Sequence, residues 1–223
     1  MTSKRLYSQA CSAAHALDLV GERWAMLVVR ELLLGPKRFT DLRAGLPDAG
    51  PNVLSQRLRE LDSAGVVRRR KLAPPAGSWV YELTEWGLEL EPVLVHLARW
   101  GARSPLRDLT AGASVDALML AFRSGFDAQS CGDLTATCAL RIGEHSFVLD
   151  VDGGHLHVTR GEAATPHAVI ESDAPTFAAL MARRRRLGEA TTQGRVTVTG
   201  DATVVERLLQ AVTPPDKAHV PSA

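Results

Sequence analysis

The sequence predicts an α+β chain, helical with one β-hairpin in its first half and built on a mostly antiparallel sheet in its second. Three observations lead there. Apolar residues recur at helical spacing in four segments before residue 64. Two β-type runs, 66–72 and 79–83, then flank the turn-forming stretch Pro74-Pro75-Ala76-Gly77-Ser78. Beyond residue 112 the pattern changes to one amphipathic helix followed by short alternating runs.

Residues 12–20 place Ala13, Ala16, Leu17 and Val20 at i, i+3, i+4 and i+7, and Gly21 ends that helix. A second apolar helix over 24–34 is closed by Gly35-Pro36. A short third one over 39–46 turns Phe39, Leu42 and Leu46 inward. After a turn-rich stretch, 47–51, a fourth helix runs over 52–63, with Gly65 as its C-terminal breaker.

The fourth helix carries the most information. At about 100° per residue, Leu54, Leu58 and Leu61 form one narrow stripe that must face a core. Asn52, Gln56, Arg59 and Ser63 lie opposite, with Ser55 on the flank and Arg57 nearer the apolar stripe. Asn, Gln and Arg are the side chains that read base edges bidentately in a major groove, and Ser bonds bases or phosphates. A solvated polar face would carry the same residues. A basic hairpin directly after such a helix, however, is the wing of a winged helix-turn-helix. Arg69 and Lys71 would there lie along phosphates, giving affinity rather than sequence reading. The other account of residues 68–71 is an edge strand kept from aggregating by its charge.

Composition narrows the classes. A chain of 223 residues is long enough for two ordinary domains, and 45% apolar with 23% charged residues is a globular composition. No apolar run approaches the roughly 20 residues that span a bilayer. Residues 1–8 hold Lys4 and Arg5 without the apolar stretch of a signal peptide, so the expected address is the cytoplasm, without membrane insertion. Cys11, Cys131 and Cys138 leave one thiol over in any disulfide scheme, and none sits in a C-x-x-C pair. The seven histidines lack H-E-x-x-H spacing, so neither a metal site nor a cofactor is expected. Without G-x-S-x-G or a Gly-rich phosphate loop, no enzyme is expected either. Charge is uneven: residues 1–104 hold 15 Lys+Arg against 11 Asp+Glu, and 105–223 hold 11 against 14. The densest basic stretch, 57–71, lies in the first half, and a local basic surface matters more than net charge.

Residues 11–101 closely resemble the HxlR-type regulators, relatives of the MarR group. The resemblance rests on Cys11, L-D-L-V-G-E-R-W (17–24), L-V-V-R-E-L-L-L-G (27–35), R-F-T-D-L-R (38–43), L-S-Q-R-L-R-E-L (54–61), G-V-V-R-R (65–69), Y-E-L-T-E-W-G (81–87) and R-W-G (99–101). It implies a sequence-specific transcription regulator that binds double-stranded DNA as a homodimer. Two recognition helices would enter successive major grooves of a pseudo-palindromic operator. The DNA-contacting candidates are Arg38, Asn52, Ser55, Gln56, Arg59, Arg69 and Lys71. Thr84 is a good N-cap, with Glu85 in the first turn, for a long helix over 85–102 striped by Leu90, Val93, Leu94 and Leu97, with Pro92 as a kink point. In the resembled family this helix pairs with the first helix of the other protomer; packing within one subunit is the alternative. In several members the cysteine at the position of Cys11 senses oxidants or electrophiles, although Ser12 stands here where the family usually has Pro. A small packed cysteine is the plainer account.

The expected domains are 1–104, a linker at 105–112, a second domain at 113–213 and a tail at 214–223. In the second domain, a helix over 115–126 precedes strands at 134–142, 146–151, 155–159 and 168–172. Leu134, Ala136, Cys138 and Leu140 alternate with Thr135, Thr137, Ala139 and Arg141, as in a half-buried antiparallel strand. A helix over 175–187, a strand over 195–199 and a closing helix over 202–212 complete it. F-V-L-D-V-D-G-G (147–154), A-V-I-E-S-D (168–173), F-A-A-L-M (177–181) and G-R-V-T-V-T-G-D (194–201) resemble the sterol-carrier-like α+β fold. That resemblance implies an apolar tunnel for a lipid-like or other hydrophobic effector, lined by Met119, Phe122, Phe126, Leu140, Phe147, Phe177, Leu180 and Met181; otherwise the same side chains fill a solid core. Arg183–Arg186, expected on a helix, would face solvent or a phosphate. Two further functions stay open. One is a lipid carrier whose winged helix only dimerises, against which the charged face of Asn52, Gln56 and Arg59 argues, since dimer surfaces are depleted in charge. The other is a thiol-based redox regulator acting through Cys11.

Overall fold

The computed structural model describes residues 6–108 and 112–219. The chain divides into two compact units, residues 1–94 and 95–223. Parts of the expected N-terminal segment, linker and tail (1–5, 109–111 and 220–223) lie outside the described residues.

The first unit runs α1 (Ser12–Val20), α2 (Ala25–Leu32), α3 (Phe39–Gly45), α4 (Pro51–Ser63), β1 (Val67–Lys71) and β2 (Trp79–Leu83). Its core holds Val28, Val29 and Leu32 of α2, Leu42 of α3 and Leu54, Leu58 and Leu61 of α4, with Leu46, Val66, Val67 and Val80. Phe39, expected inward, is only half-buried, and the expected α1 stripe leaves Ala13, Ala16 and Leu17 exposed, Ala14 being the residue that α1 buries. α4 ends where the glycine stands. Gly65 takes a left-handed φ of 73°, its N–H donates to the Asp62 carbonyl, and the Val66 N–H donates to the Leu61 carbonyl. That pair of bonds satisfies the last helical carbonyls and turns the chain directly into β1. β1 and β2 are antiparallel, with Val67 opposite Leu83 and Lys71 opposite Trp79. A connection invisible in the sequence joins them: Lys37 and Tyr81 exchange backbone hydrogen bonds of 2.9 and 2.8 Å, so the segment between α2 and α3 adds a rung to the hairpin.

The long helix expected over 85–102 is two pieces, α5 (Glu85–Leu88) and α6 (Leu90–Ala102). Thr84 caps α5 as expected, its hydroxyl accepting the Gly87 N–H at 3.0 Å. The break at Glu89 has a local cause. Pro92 has no N–H for the carbonyl four residues back, and its ring crowds that carbonyl, so the helix interrupts one turn ahead of the proline. Of the expected stripe only Leu94 is buried; Val93 and Leu97 are half exposed, and Trp100 is 72% exposed.

In the second unit α7 (Val115–Gly125) and the short α8 (Ala128–Cys131), which the sequence reading missed, precede β3 (Ala136–Ile142), β4 (His145–Asp152), β5 (His155–Arg160) and β6 (Ala168–Ser172). α9 (Ala174–Met181), α10 (Leu187–Thr192), β7 (Val196–Gly200) and α11 (Ala202–Gln210) follow. The five strands order β5-β4-β3-β6-β7. β3–β4, β4–β5 and β6–β7 pair antiparallel, and β3–β6 pairs parallel. Phe122 of α7 meets Phe177 of α9 edge-on at 5.5 Å, and Asp116 at the start of α7 accepts bonds of 2.7 Å on both oxygens from Arg160 of β5. Ala139, expected to face outward, is buried as deeply as its neighbours.

The helix expected over 175–187 is likewise two, α9 and α10, and Arg183–Arg186 form the turn between them instead of lying on a helix. Arg183 is left-handed, with φ 52°. Its N–H donates to Leu180 O, and that of Arg184 donates to Ala179 O. This is the same helix-ending pair of bonds as at Gly65, made here without a glycine.

Candidate nucleic-acid interface

α4 separates its two faces as the spacing requires. Leu54, Leu58 and Leu61 are at most 1% exposed, while Asn52, Gln56 and Arg59 are exposed and Ser55 is half-buried. Gln56 is steadied by its own helix: its amide nitrogen donates to Glu60 Oε1 at 2.9 Å, leaving the amide oxygen and a second N–H outward. Arg57 takes the other role. Only 8% exposed, it pairs with Glu60 and, at 3.7 Å, with Glu22 between α1 and α2, tying α4 to the body of the unit.

Arg38 stands exposed at the N-cap of α3, where its backbone N–H donates to Asp41 Oδ2 at 3.0 Å. The helix before it is anchored by a buried charge. Glu31 of α2 has no exposed side chain and accepts from Arg30 at 2.8 Å and from Lys37 at 2.7 Å. Because Lys37 also bonds Tyr81 through its backbone, this one carboxylate couples α2 to the hairpin. The sequence reading missed it, although a lone Glu inside an apolar helix is a usable signal that a buried cation must face it.

The hairpin divides its positive charge. Arg68 and Arg70 both donate to Glu82 across the strands, at 2.7 and 2.6 Å. Burial works against ionising that carboxyl, but the two guanidinium groups hold it below the ordinary range. Arg69 instead lies over the Trp79 ring at 4.6 Å and near Tyr81 at 6.0 Å. Stacking on a half-exposed indole holds the guanidinium outward without neutralising it. Arg69 and Lys71, the two wing residues singled out in the sequence, are thus the cations that Glu82 does not pair.

The remaining candidates divide sharply by burial. Met119, Phe122, Phe126, Leu140, Phe147, Phe177, Leu180 and Met181 are all buried, with exposures from 0 to 9%. They belong to the buried apolar residues of the second unit, where Phe122 and Phe177 meet edge-on. Cys11 is exposed and stands at the N-cap of α1. The backbone N–H groups of Ala14 and Ala13 pull its thiol below the ordinary cysteine range. Burial does the opposite at Cys131 and pushes Cys138 up to about 11. Among the described residues no three His, Cys, Asp or Glu side chains gather as a metal would require, and no helix is long and apolar enough to cross a membrane.

Four helices ahead of a charged hairpin, with the helix before the hairpin polar on its outer face, define a helix-turn-helix protein of the winged kind. The chain belongs to the HxlR-like helix-turn-helix family, whose model matches residues 19–107, and its residues 106–219 match the alkyl sulfatase C-terminal family. For the second half, that is the family matched where the motifs pointed to a sterol-carrier-like fold. Among its relatives is the uncharacterized HTH-type transcriptional regulator YvaP of Bacillus subtilis, 39% identical over 85 residues that make up 38% of this chain and 79% of the relative. The reduced form of the transcriptional regulator YodB from B. subtilis is similar at 30% identity, covering 44% of this chain and 97% of that one, with a TM-score of 0.39. The redox regulator HypR in its oxidized form is similar at 32% identity over 44% of this chain and all of its own, with a TM-score of 0.39. Transcription regulation and DNA binding are therefore the family's business, and its relatives are bacterial.

Proposed function

We propose that the chain is a cytoplasmic, sequence-specific operator-binding regulator, not an enzyme, and that α4 reads the DNA. The observation that carries this is the division of α4 into a fully buried leucine stripe and an outer face of Asn52, Gln56 and Arg59, with Ser55 at its edge. Arg38, Arg69 and Lys71 are assigned to phosphates, where they add affinity and salt dependence but little sequence preference. Titration of the full chain with a duplex from upstream of its own gene, and with a scrambled duplex, tests the assignment. A preference on the order of a thousandfold for the native duplex is expected; equal affinities would remove it.

We further propose a homodimer formed through α1 and α6. Leu17 on α1 and Val93, Leu97 and Trp100 on α6 are apolar and from about half to three-quarters exposed. α1 also walls an apolar cleft of about 220 Å³ with Val66, Trp86 and Leu90. Exposed apolar faces of this kind, on α1 beside its cleft and on α6, are each a usual mark of a partner.

For the second unit we propose a sterol-carrier-like domain over 113–213, joined to the DNA-binding domain at 1–104 by the segment 105–112, and responsive to a hydrophobic small molecule. The five-stranded sheet with Phe122 and Phe177 meeting over it supports the fold. Because the eight candidate lining side chains are buried, an effector reaches them only by displacing side chains that cover them, which is how it would change the unit's shape. Operator affinity that stays equal across a panel of lipid-like ligands at saturation would exclude the coupling.

The exposed, acid-shifted Cys11 favours a second input, a thiol that senses oxidants or electrophiles. The thiolate is the reactive form, so a lowered pKa means more of it at neutral pH. Cys11 is expected to alkylate with iodoacetamide well before Cys131 and Cys138, with a pH midpoint below that of a free cysteine. Mass mapping of the modified peptides checks the order; equal rates at all three thiols would contradict it.

A further inference from the structure

The arginine turn between α9 and α10 has no part in the functions proposed above. Residues 105–223 carry more acid than base, yet the segment 182–200 holds five arginines against one carboxylate, Glu189. Four of the five are Arg183–Arg186, and the fold holds their backbone in one shape. Arg183 closes α9 in the left-handed region, and its guanidinium donates to the Gln210 carbonyl at 2.8 Å, fastening the turn to the end of α11. Arg185 is half-buried and shares the field of the Asp173 carboxylate with Arg195. Arg184 and Arg186 are exposed. Two exposed arginines thus sit on a turn whose backbone is held by α9 and fastened through Arg183, so the backbone loses little freedom when they engage an anion.

We propose that Arg184 and Arg186 form a second DNA contact, a clamp on backbone phosphates outside the base pairs that α4 reads. The inference rests on the DNA-binding function proposed above and extends it to the second unit. Two observations favour a phosphodiester backbone over an anionic membrane. Among the described residues no large apolar side chain is exposed from residue 107 to 219, so the turn has no anchor to insert beside its charges. Leu187, directly after the turn, is half-buried, and Gly188, Glu189, Thr191 and Thr192 beyond it are small or polar. A local cluster of arginine on an otherwise acidic unit binds phosphate at short range while the rest of the unit is repelled, which confines the contact to this turn.

The test measures affinity of the full chain for a labelled duplex from upstream of its own gene across a series of salt concentrations. For the double variant Arg184→Ser/Arg186→Ser, the slope of log Kd against log salt should become shallower by about 0.9 for each phosphate that the variant no longer neutralises. Preference over a scrambled duplex should stay as in the wild type. The variant Arg184→Lys/Arg186→Lys keeps the charges and should keep the slope, which separates phosphate binding from disturbed folding. A wild type that binds DNA with a slope the serine variant leaves unchanged overturns the clamp alone. A wild type that binds no duplex overturns the DNA-reading function as well. Cosedimentation with vesicles of phosphatidylglycerol and phosphatidylcholine supplies the other arm. If the serine variant loses vesicle binding while its DNA slope is unchanged, the turn is a lipid-phosphate site and the clamp is wrong.

Discussion

Replacing Glu31 with alanine is expected to destabilise the first unit by about 3–5 kcal/mol, the usual result of removing one partner from a buried ion pair. The carboxylate is fully buried, and the two cations that share it, Arg30 and Lys37, have side chains only 16% and 12% exposed. Both cations would keep the cost of leaving water and lose the charge that offsets it. The damage should reach the wing, because Lys37 is also the residue whose backbone adds a rung beside Tyr81. Urea unfolding followed by tryptophan fluorescence reads mainly this unit, since three of the four tryptophans, Trp24, Trp79 and Trp86, lie within residues 1–94 and the fourth, Trp100, is already 72% exposed. The midpoint should fall by roughly 1 M or more for a slope typical of a small domain. An unchanged midpoint would mean that Glu31 is not essential to the coupling. Gly45→Ala offers a second probe, because a Cβ there would strike the Glu31 carboxylate and push it from its partners.

Gln56→Ala and Arg59→Ala should each cost about 1–3 kcal/mol of discrimination between the operator and a scrambled duplex. In the proposed dimer every contact is used twice, so the loss there should be larger than one copy suggests. What should survive is the salt-dependent, sequence-indifferent binding, because neither residue is assigned to phosphate. Arg69→Ala and Lys71→Ala should do the reverse: binding weakens on every sequence alike and the salt slope becomes shallower. Parallel titration of the four variants against both duplexes separates the roles. Should Arg59→Ala weaken both duplexes equally, Arg59 is a phosphate contact and α4 reads with fewer residues than proposed.

Much of this was legible in the sequence where one local rule acts alone. α1, β2 and β6 have the bounds expected for them, and α4 ends at the glycine expected to end it. In each, periodicity and turn chemistry agree, and no distant residue overrides them. The departures have equally definite causes. The helix over 85–102 breaks ahead of Pro92 because a proline removes a bond to the preceding turn. The helix over 175–187 stops early because Arg183 takes the left-handed position that a glycine usually signals, and no glycine was there to mark it.

At the site, the outer face of α4 follows from residue spacing, so Asn52, Gln56 and Arg59 could be placed in advance. The sorting of the wing arginines could not. It depends on the strand register, which puts Glu82 opposite Arg68 and Tyr81 opposite Arg69. Hairpin register is set by the geometry of the turn, and the seven-residue connection at 72–78 leaves several open. Glu31 itself was a usable signal, but which cations it meets was not, since Lys37 reaches it across the connection between α2 and α3 while pairing with Tyr81 of the hairpin.

Hydroxyl-radical footprinting of the full chain on the DNA upstream of its own gene tests the central claim most directly. If two α4 helices of a dimer read the operator, two protected tracts should stand about 10 base pairs apart, or a multiple of that, related by approximate two-fold symmetry. Uniform cleavage at protein concentrations that bind all the DNA would contradict it, for the chain would then be held by phosphates alone.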